Sequence, residues 1–263
     1  MVVFFAIRRQ ELNMFTTEQR NQVRHRVLEL AMADQRVIGG AFTGSMAFSS
    51  GDRWSDIDVA FGISDGNSLE TMLQDWTQIL DREFSVIDHF DLRSGSSIYR
   101  VFLLQSGLEV DVAVTPDEDF GARGPQFHVL FGSIRKLQDT PQPSASEFIG
   151  PGWHHVLHAR SSIERNKPWQ AEYWISGIRD HTLALACLRF GENAYYGRGV
   201  DNLPAVVTNP LSDALVRSLD EPELGRALAM ATRCFISELE VCDPRLCTRL
   251  SPLLQEFSAT QTS

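Results

Sequence analysis

The chain reads as an α+β protein, a mixed sheet carrying helices followed by an all-helical bundle. Two observations predict this. Short apolar strand patterns interleave with helical ones up to about residue 131, and strand signals nearly vanish beyond it. Between the two regimes lies Gln138-Asp139-Thr140-Pro141-Gln142-Pro143-Ser144, a polar, proline-bearing segment of the kind that joins domains. The expected organisation is therefore residues 14–140 as one domain and 141–263 as a helical domain, with residues 1–13 as an N-terminal extension. That extension runs from apolar to basic, the reverse of a secretory leader, and Met14 stands just ahead of a helix start.

In chain order, Thr16-Thr17-Glu18-Gln19 has the spacing of a capping box, and Val23, Val27, Leu30 and Ala31 share one face of the helix it opens, which is expected to end near Ala33. Residues 37–42 read as a buried strand ending at Gly44, and Ile57, Val59 and Phe61 alternate in a second. Leu69, Met72, Leu73, Trp76, Ile79 and Leu80 recur at helical spacing. Strands are expected over 84–91, 97–105, 108–115 and 127–131, with Ser106-Gly107 turning the second into the third. Helices are expected over 147–166, 168–190, 211–219, 222–241 and 245–257, the second stopped by Gly191.

Composition narrows the function classes. At 263 residues, 43% hydrophobic and 22% charged, the chain is globular in character, and no apolar run approaches the ~20 residues of a membrane span. A cytoplasmic location is expected. The net charge of -10, with only two lysines and no basic run, disfavours a phosphate-backbone binder and suits a cationic small molecule. The four cysteines, Cys187, Cys234, Cys242 and Cys247, form no CxxC pair and read as idle thiols.

The chemistry concentrates in Thr43-Gly44-Ser45 and Ser55-Asp56-Ile57-Asp58. With Ile57, Val59 and Phe61 on one face of a strand, Asp56 and Asp58 share the other. Two adjacent carboxylates repel, and burying them unpaired costs several kcal/mol, a penalty that a hard divalent cation removes. In Glu109-Val110-Asp111-Val112-Ala113-Val114 the valines alternate against Glu109, Asp111 and Ala113. A neighbouring strand could thus deliver a third acid to an oxygen-ligand site suited to magnesium. Gly44 permits close backbone approach, and a helix start after Ser45 would offer amides to phosphate. No Walker loop or GxGxxG occurs.

These fragments, in this order and spacing, resemble the signature of the DNA polymerase β-type nucleotidyltransferase superfamily. The likeness covers residues 36–115. The layout of a small α/β domain plus a helical bundle is similar to that of antibiotic nucleotidyltransferases acting on aminoglycosides or lincosamides. The resemblance implies two magnesium ions held by Asp56 and Asp58, with Asp111 on the ion that activates the acceptor hydroxyl. It implies a nucleoside triphosphate co-substrate, with AMP from ATP the expected group transferred. Met46-Ala47-Phe48 departs from the basic versions of the loop, which directs triphosphate contacts to Arg53 or to the second domain. The resemblance also allows a homodimer.

Glu109 shares the face of Asp111 and reads either as a general base or as a solvated acid at a strand end. In the second domain Glu172, Ser176, Arg179 and Leu183 lie along one helix face; Arg179 is a candidate for the triphosphate, and Glu172 and Tyr173 for a cationic acceptor, an ion network being the alternative. His154 and His158, four apart beside His155, lack a third convergent ligand and read as packed or surface histidines. The leading function is magnesium-dependent nucleotidyl transfer to a hydroxyl of a small molecule. The alternatives are modification of a protein or tRNA, and a noncatalytic nucleotide-binding protein.

Overall fold

The computed structural model describes residues 14–44, 54–124, 127–139 and 141–259. The described chain divides after residue 140 into two compact units.

The first unit opens with α1 (Thr17–Ala33), whose capping box is formed in full: Thr16 Oγ1 accepts from the Gln19 amide at 3.1 Å, and Gln19 Oε1 accepts from the Thr16 amide at 2.8 Å. Then come β1 (Val37–Thr43), β2 (Ile57–Ile63), α2 (Leu69–Phe84), β3 (Val86–Ser94), β4 (Ser97–Leu104), β5 (Glu109–Pro116) and β6 (Phe127–Gly132). The six strands make one sheet in the order β3-β4-β5-β2-β1-β6. Among the described strands only β2 and β5 run parallel, and every other neighbouring pair is antiparallel.

Alternation decides what each face does. Ile57, Val59 and Phe61 of β2, Ile98, Phe102 and Leu104 of β4, and Val110, Val112 and Val114 of β5 join one buried cluster with Val23 and Val27 of α1 and Met72, Leu73, Trp76 and Leu80 of α2. The two helices therefore cover one face. Each large side chain buried there stabilises the fold by roughly 1.5–3 kcal/mol relative to exposure. On the opposite face a smaller cluster of Ala41, Ala60 and Ala113 lies under Phe120.

Two expectations in this unit shift. The strand expected from residue 84 begins at Val86, because Phe84 still closes α2 and Ser85 caps it in the left-handed region at φ 55°. It runs on to Ser94, where Gly95, at φ 59°, turns it into β4. The β4–β5 connection is a turn of four residues, 105–108, with Gly107 at φ 77°.

The second unit is helical: α3 (Ser146–Glu164), α4 (Pro168–Phe190), α5 (Ala205–Ser212), α6 (Glu221–Cys242) and α7 (Pro244–Ser258). Its core joins Val156 and Ala159 of α3, Ile175 and Ile178 of α4, Leu228, Ala231 and Phe235 of α6 and Leu254 of α7. The helix expected over 211–219 is displaced to α5. The Arg226 guanidinium donates to the Asp213 and Leu215 carbonyls, and the Arg217 amide donates to Glu223 Oε1. Side chains thus take the carbonyls and the amide that a helix there would need.

Candidate active site

The parallel register of β2 on β5 places Asp58 directly beside Asp111, Ile57 beside Val110 and Val59 beside Val112. Paired residues of adjacent strands share a face, so both carboxylates rise from the face that the two helices leave uncovered. Asp56 precedes β2 by one residue. The three acids singled out in the sequence are thus brought to the N-terminal end of the one parallel strand pair.

Two features fix this corner. Gly44 closes β1 at φ 60°, and a Cβ there would stand 2.3 Å from Asp58 Oδ2, well inside contact distance. Only glycine lets the backbone lie against that carboxylate. The second is Arg20, which the sequence reading passed over. It is 5% exposed on α1, and its Nη1 donates to the Ser55 carbonyl at 3.2 Å, one residue before Asp56. A signal was present: Arg20 extends the stripe of Val23, Val27 and Ala31 by one turn, and a charge on a buried stripe demands a polar partner.

The electrostatics centre on Asp111. Its Oδ1 is buried with no hydrogen-bond partner among the described residues. Burial raises its carboxyl pKa to about 6, and the nearby charges of Glu109 and Asp56 push the same way. A carboxylate with an unsatisfied buried oxygen and acidic neighbours is a site short of positive charge. Glu109 is exposed at the start of β5, on the face of Asp111.

Does this corner fit a magnesium ion? Among the described residues no group of three or more His, Cys, Asp and Glu stands close enough to ligate one. The donor chemistry nevertheless fits: hard carboxylate oxygens, two of them on directly paired residues, and an orphaned buried Oδ1. Ser45 and Arg53, the other expected phosphate contacts, lie outside the described residues, as do Met46-Ala47-Phe48 and residues 1–13.

The second-unit candidates are placed as follows. Glu172 Oε1 accepts from Ser176 Oγ at 2.6 Å, an i,i+4 bond along α4. Tyr173 is exposed and stands edge-on to Trp174. Arg179 lines a groove of about 330 Å³ with Leu183, Val200, Asp201, Thr208 and Leu211. Arg179 Nη2 stands 3.9 Å from Asp180 Oδ1. The His154 and His158 ring centroids stand 4.2 Å apart with the rings tilted at 51°, and His155 packs between Trp174 and His181, each at 4.8 Å. His154 and His158 are exposed and His155 is partly buried, and among the described residues none belongs to a group of three or more metal-ligating side chains.

No protein-family model matches the chain. No curated protein matches its sequence. Among solved structures the chain is similar to an aminoglycoside 6-adenyltransferase from Bacillus subtilis, at 13% identity and a TM-score of 0.41, over 89% of this chain and 96% of that one. It is also similar to a nucleotidyltransferase-like protein from Exiguobacterium sibiricum, at 13% identity and a TM-score of 0.35, over 89% of this chain and 80% of that one.

Proposed function

We propose that the chain is a magnesium-dependent nucleotidyltransferase that moves a nucleoside monophosphate, AMP from ATP, onto a hydroxyl of a small molecule. The observation that carries this reading is the direct pairing of Asp58 with Asp111 across parallel strands, with an orphaned buried oxygen on Asp111 and the Gly44 backbone against Asp58. Two partly buried carboxylates on directly paired residues repel each other. Holding divalent cations is the chemistry that such a corner can perform.

Asp56, Asp58 and Asp111 would hold magnesium, which when bound supplies charge neutralisation to the phosphates and to a hydroxyl losing its proton. The chain's own groups do the rest. Gly44 sets the position of the Asp58 carboxylate, and Arg20 anchors the Ser55 carbonyl and with it the approach of Asp56. Glu109 takes the proton of the acceptor hydroxyl. The acceptor oxygen forms a bond to the α-phosphorus, the bond from that phosphorus to the bridging oxygen breaks, and pyrophosphate leaves. Phosphoryl transfer asks mainly for positioning and charge neutralisation, which these residues supply. The overall charge of -10 suits an acceptor that carries cationic or neutral groups.

The test is a mass-spectrometric search for nucleotidylated product with each of the four common triphosphates, magnesium and panels of aminoglycosides and lincosamides. A product made by the wild type and absent with Asp58→Asn supports the reading. Magnesium-dependent triphosphate binding without any small-molecule product would direct it to a protein or tRNA acceptor.

A further inference from the structure

The face that carries the carboxylates continues across β4 and β3 as an exposed apolar shelf. Register fixes the rows. Phe90 of β3 pairs with Val101 of β4, which pairs with Asp111 of β5, which pairs with Asp58 of β2. One row nearer the β3–β4 turn, Leu92 pairs with Tyr99, Tyr99 with Ala113 and Ala113 with Ala60. On the other side, Asp88 pairs with Leu103 and Leu103 with Glu109. Contacts on the far side of these strands confirm the phase: Phe102 is buried in the helix-covered core, and Arg100 Nη1 donates to Thr77 Oγ1 of α2.

Phe90 and Leu92 are each 55% exposed, Leu103 43% and Tyr99 36%. Scattered exposed apolar residues are ordinary, but a contiguous set is not. This set adjoins the acidic corner. With strands about 4.8 Å apart, Phe90 lies roughly two strand spacings, about 10 Å, from Asp111 along one row. That is the span of a small two-ring molecule.

We infer that Phe90, Leu92, Tyr99 and Leu103 form the acceptor platform of the proposed site and select a hydroxyl compound with an apolar face, such as a sugar bearing an alkyl or aryl group. The inference rests on the nucleotidyltransferase reading for the role of the hydroxyl end. One end of the acceptor presents its hydroxyl at Asp111 and Glu109, while its apolar end covers the shelf. Asp88 and Glu109, on the row of Leu103, place carboxylates at one rim and favour an acceptor without acidic groups there.

The probes are β-D-glucosides with methyl to heptyl chains, which share every hydroxyl and differ only in apolar length, kept below their micelle concentrations. Binding to the full chain is read by saturation-transfer NMR, and Mg-ATP binding by calorimetry on the same samples. Affinity is expected to rise at least about twofold per methylene over part of the series. That gain is expected to vanish in Phe90→Ser/Leu103→Ser and to persist in Trp169→Ser, which removes an exposed aromatic side chain of the second unit; Mg-ATP binding should be unchanged in both. A flat series, or a gain retained by the shelf variant, overturns the proposal. So does a wild-type dimer in sedimentation that the shelf variant makes monomeric, since a second copy would then own the surface. A wild type that gains affinity along the series yet binds no Mg-ATP would instead overturn the proposed function and leave the shelf as a ligand surface of another kind.

Discussion

At the scale of single residues, the corner is held by groups that are not themselves acids. Gly44→Ala would set a methyl 2.3 Å from Asp58 Oδ2 and hold a non-glycine residue at φ 60°. The expected result is a stability loss of about 1–3 kcal/mol in chemical denaturation and a fall in kcat of at least about 100-fold, since a 1 Å misplacement can cost that much. Arg20→Met keeps the apolar stem but removes the donor to the Ser55 carbonyl. Denaturation should show a loss of about 1–3 kcal/mol, and kcat should fall more than the affinity for Mg-ATP. Arg20→Lys should restore part of both. The acids were legible because strand alternation makes Asp56, Asp58 and Asp111 conspicuous in an otherwise apolar pattern. Arg20 was hidden because a single charge on a helix ordinarily faces water; only its phase with Val23 and Val27 betrayed it.

At the scale of elements, the pairing of α3 with α4 carries an acid sensitivity. Burial, with the neighbouring His181, His154 and His158 in support, lowers the His155 pKa to about 4. Its ring lies on the backbone of α4, where a Cβ on Gly177 would stand 2.2 Å from Nδ1. The Gly177 backbone opposes the shift weakly, without a well-formed hydrogen bond to Nδ1. Burial also lowers His181, against the opposing charge of Asp180. A histidine depressed when folded binds its proton more readily when unfolded, so its share of stability is present above about pH 6.5 and is lost as pH falls towards 4. Unfolding free energies from urea titrations should therefore drop across that window, by at most about 1 kcal/mol per pH unit once partial exposure is allowed for. His155→Phe should flatten the drop, whereas Gly177→Ala should lower the midpoint at every pH. The α1, α2, α4, α6 and α7 helices were readable from periodicity and caps. The α5 region was not, because capture of the Asp213 and Leu215 carbonyls by Arg226 is a long-range event that no local window contains.

At the scale of the whole chain, each unit has its own buried cluster, and the two clusters share no residue. A protease site inserted between Gln142 and Ser144 should therefore be cut without loss of helical circular dichroism, and each fragment should keep its own cooperative melt; collapse of either on cleavage would count against two domains. The sheet order, with its single parallel pair, was not legible, because alternation reveals which face a strand buries but not which strand lies beside it. Yet the proposed site depends on that pair, which sets Asp58 beside Asp111. The most direct measurement is calorimetric titration of a non-hydrolysable ATP analogue with and without magnesium, on the wild type, Asp58→Asn and Asp111→Asn, with denaturation curves confirming that all three fold. Magnesium-dependent binding by the wild type, weakened at least about tenfold in both variants, is the predicted result. Binding that ignores magnesium, or that survives both substitutions, would contradict the assignment of this corner to nucleotidyl transfer.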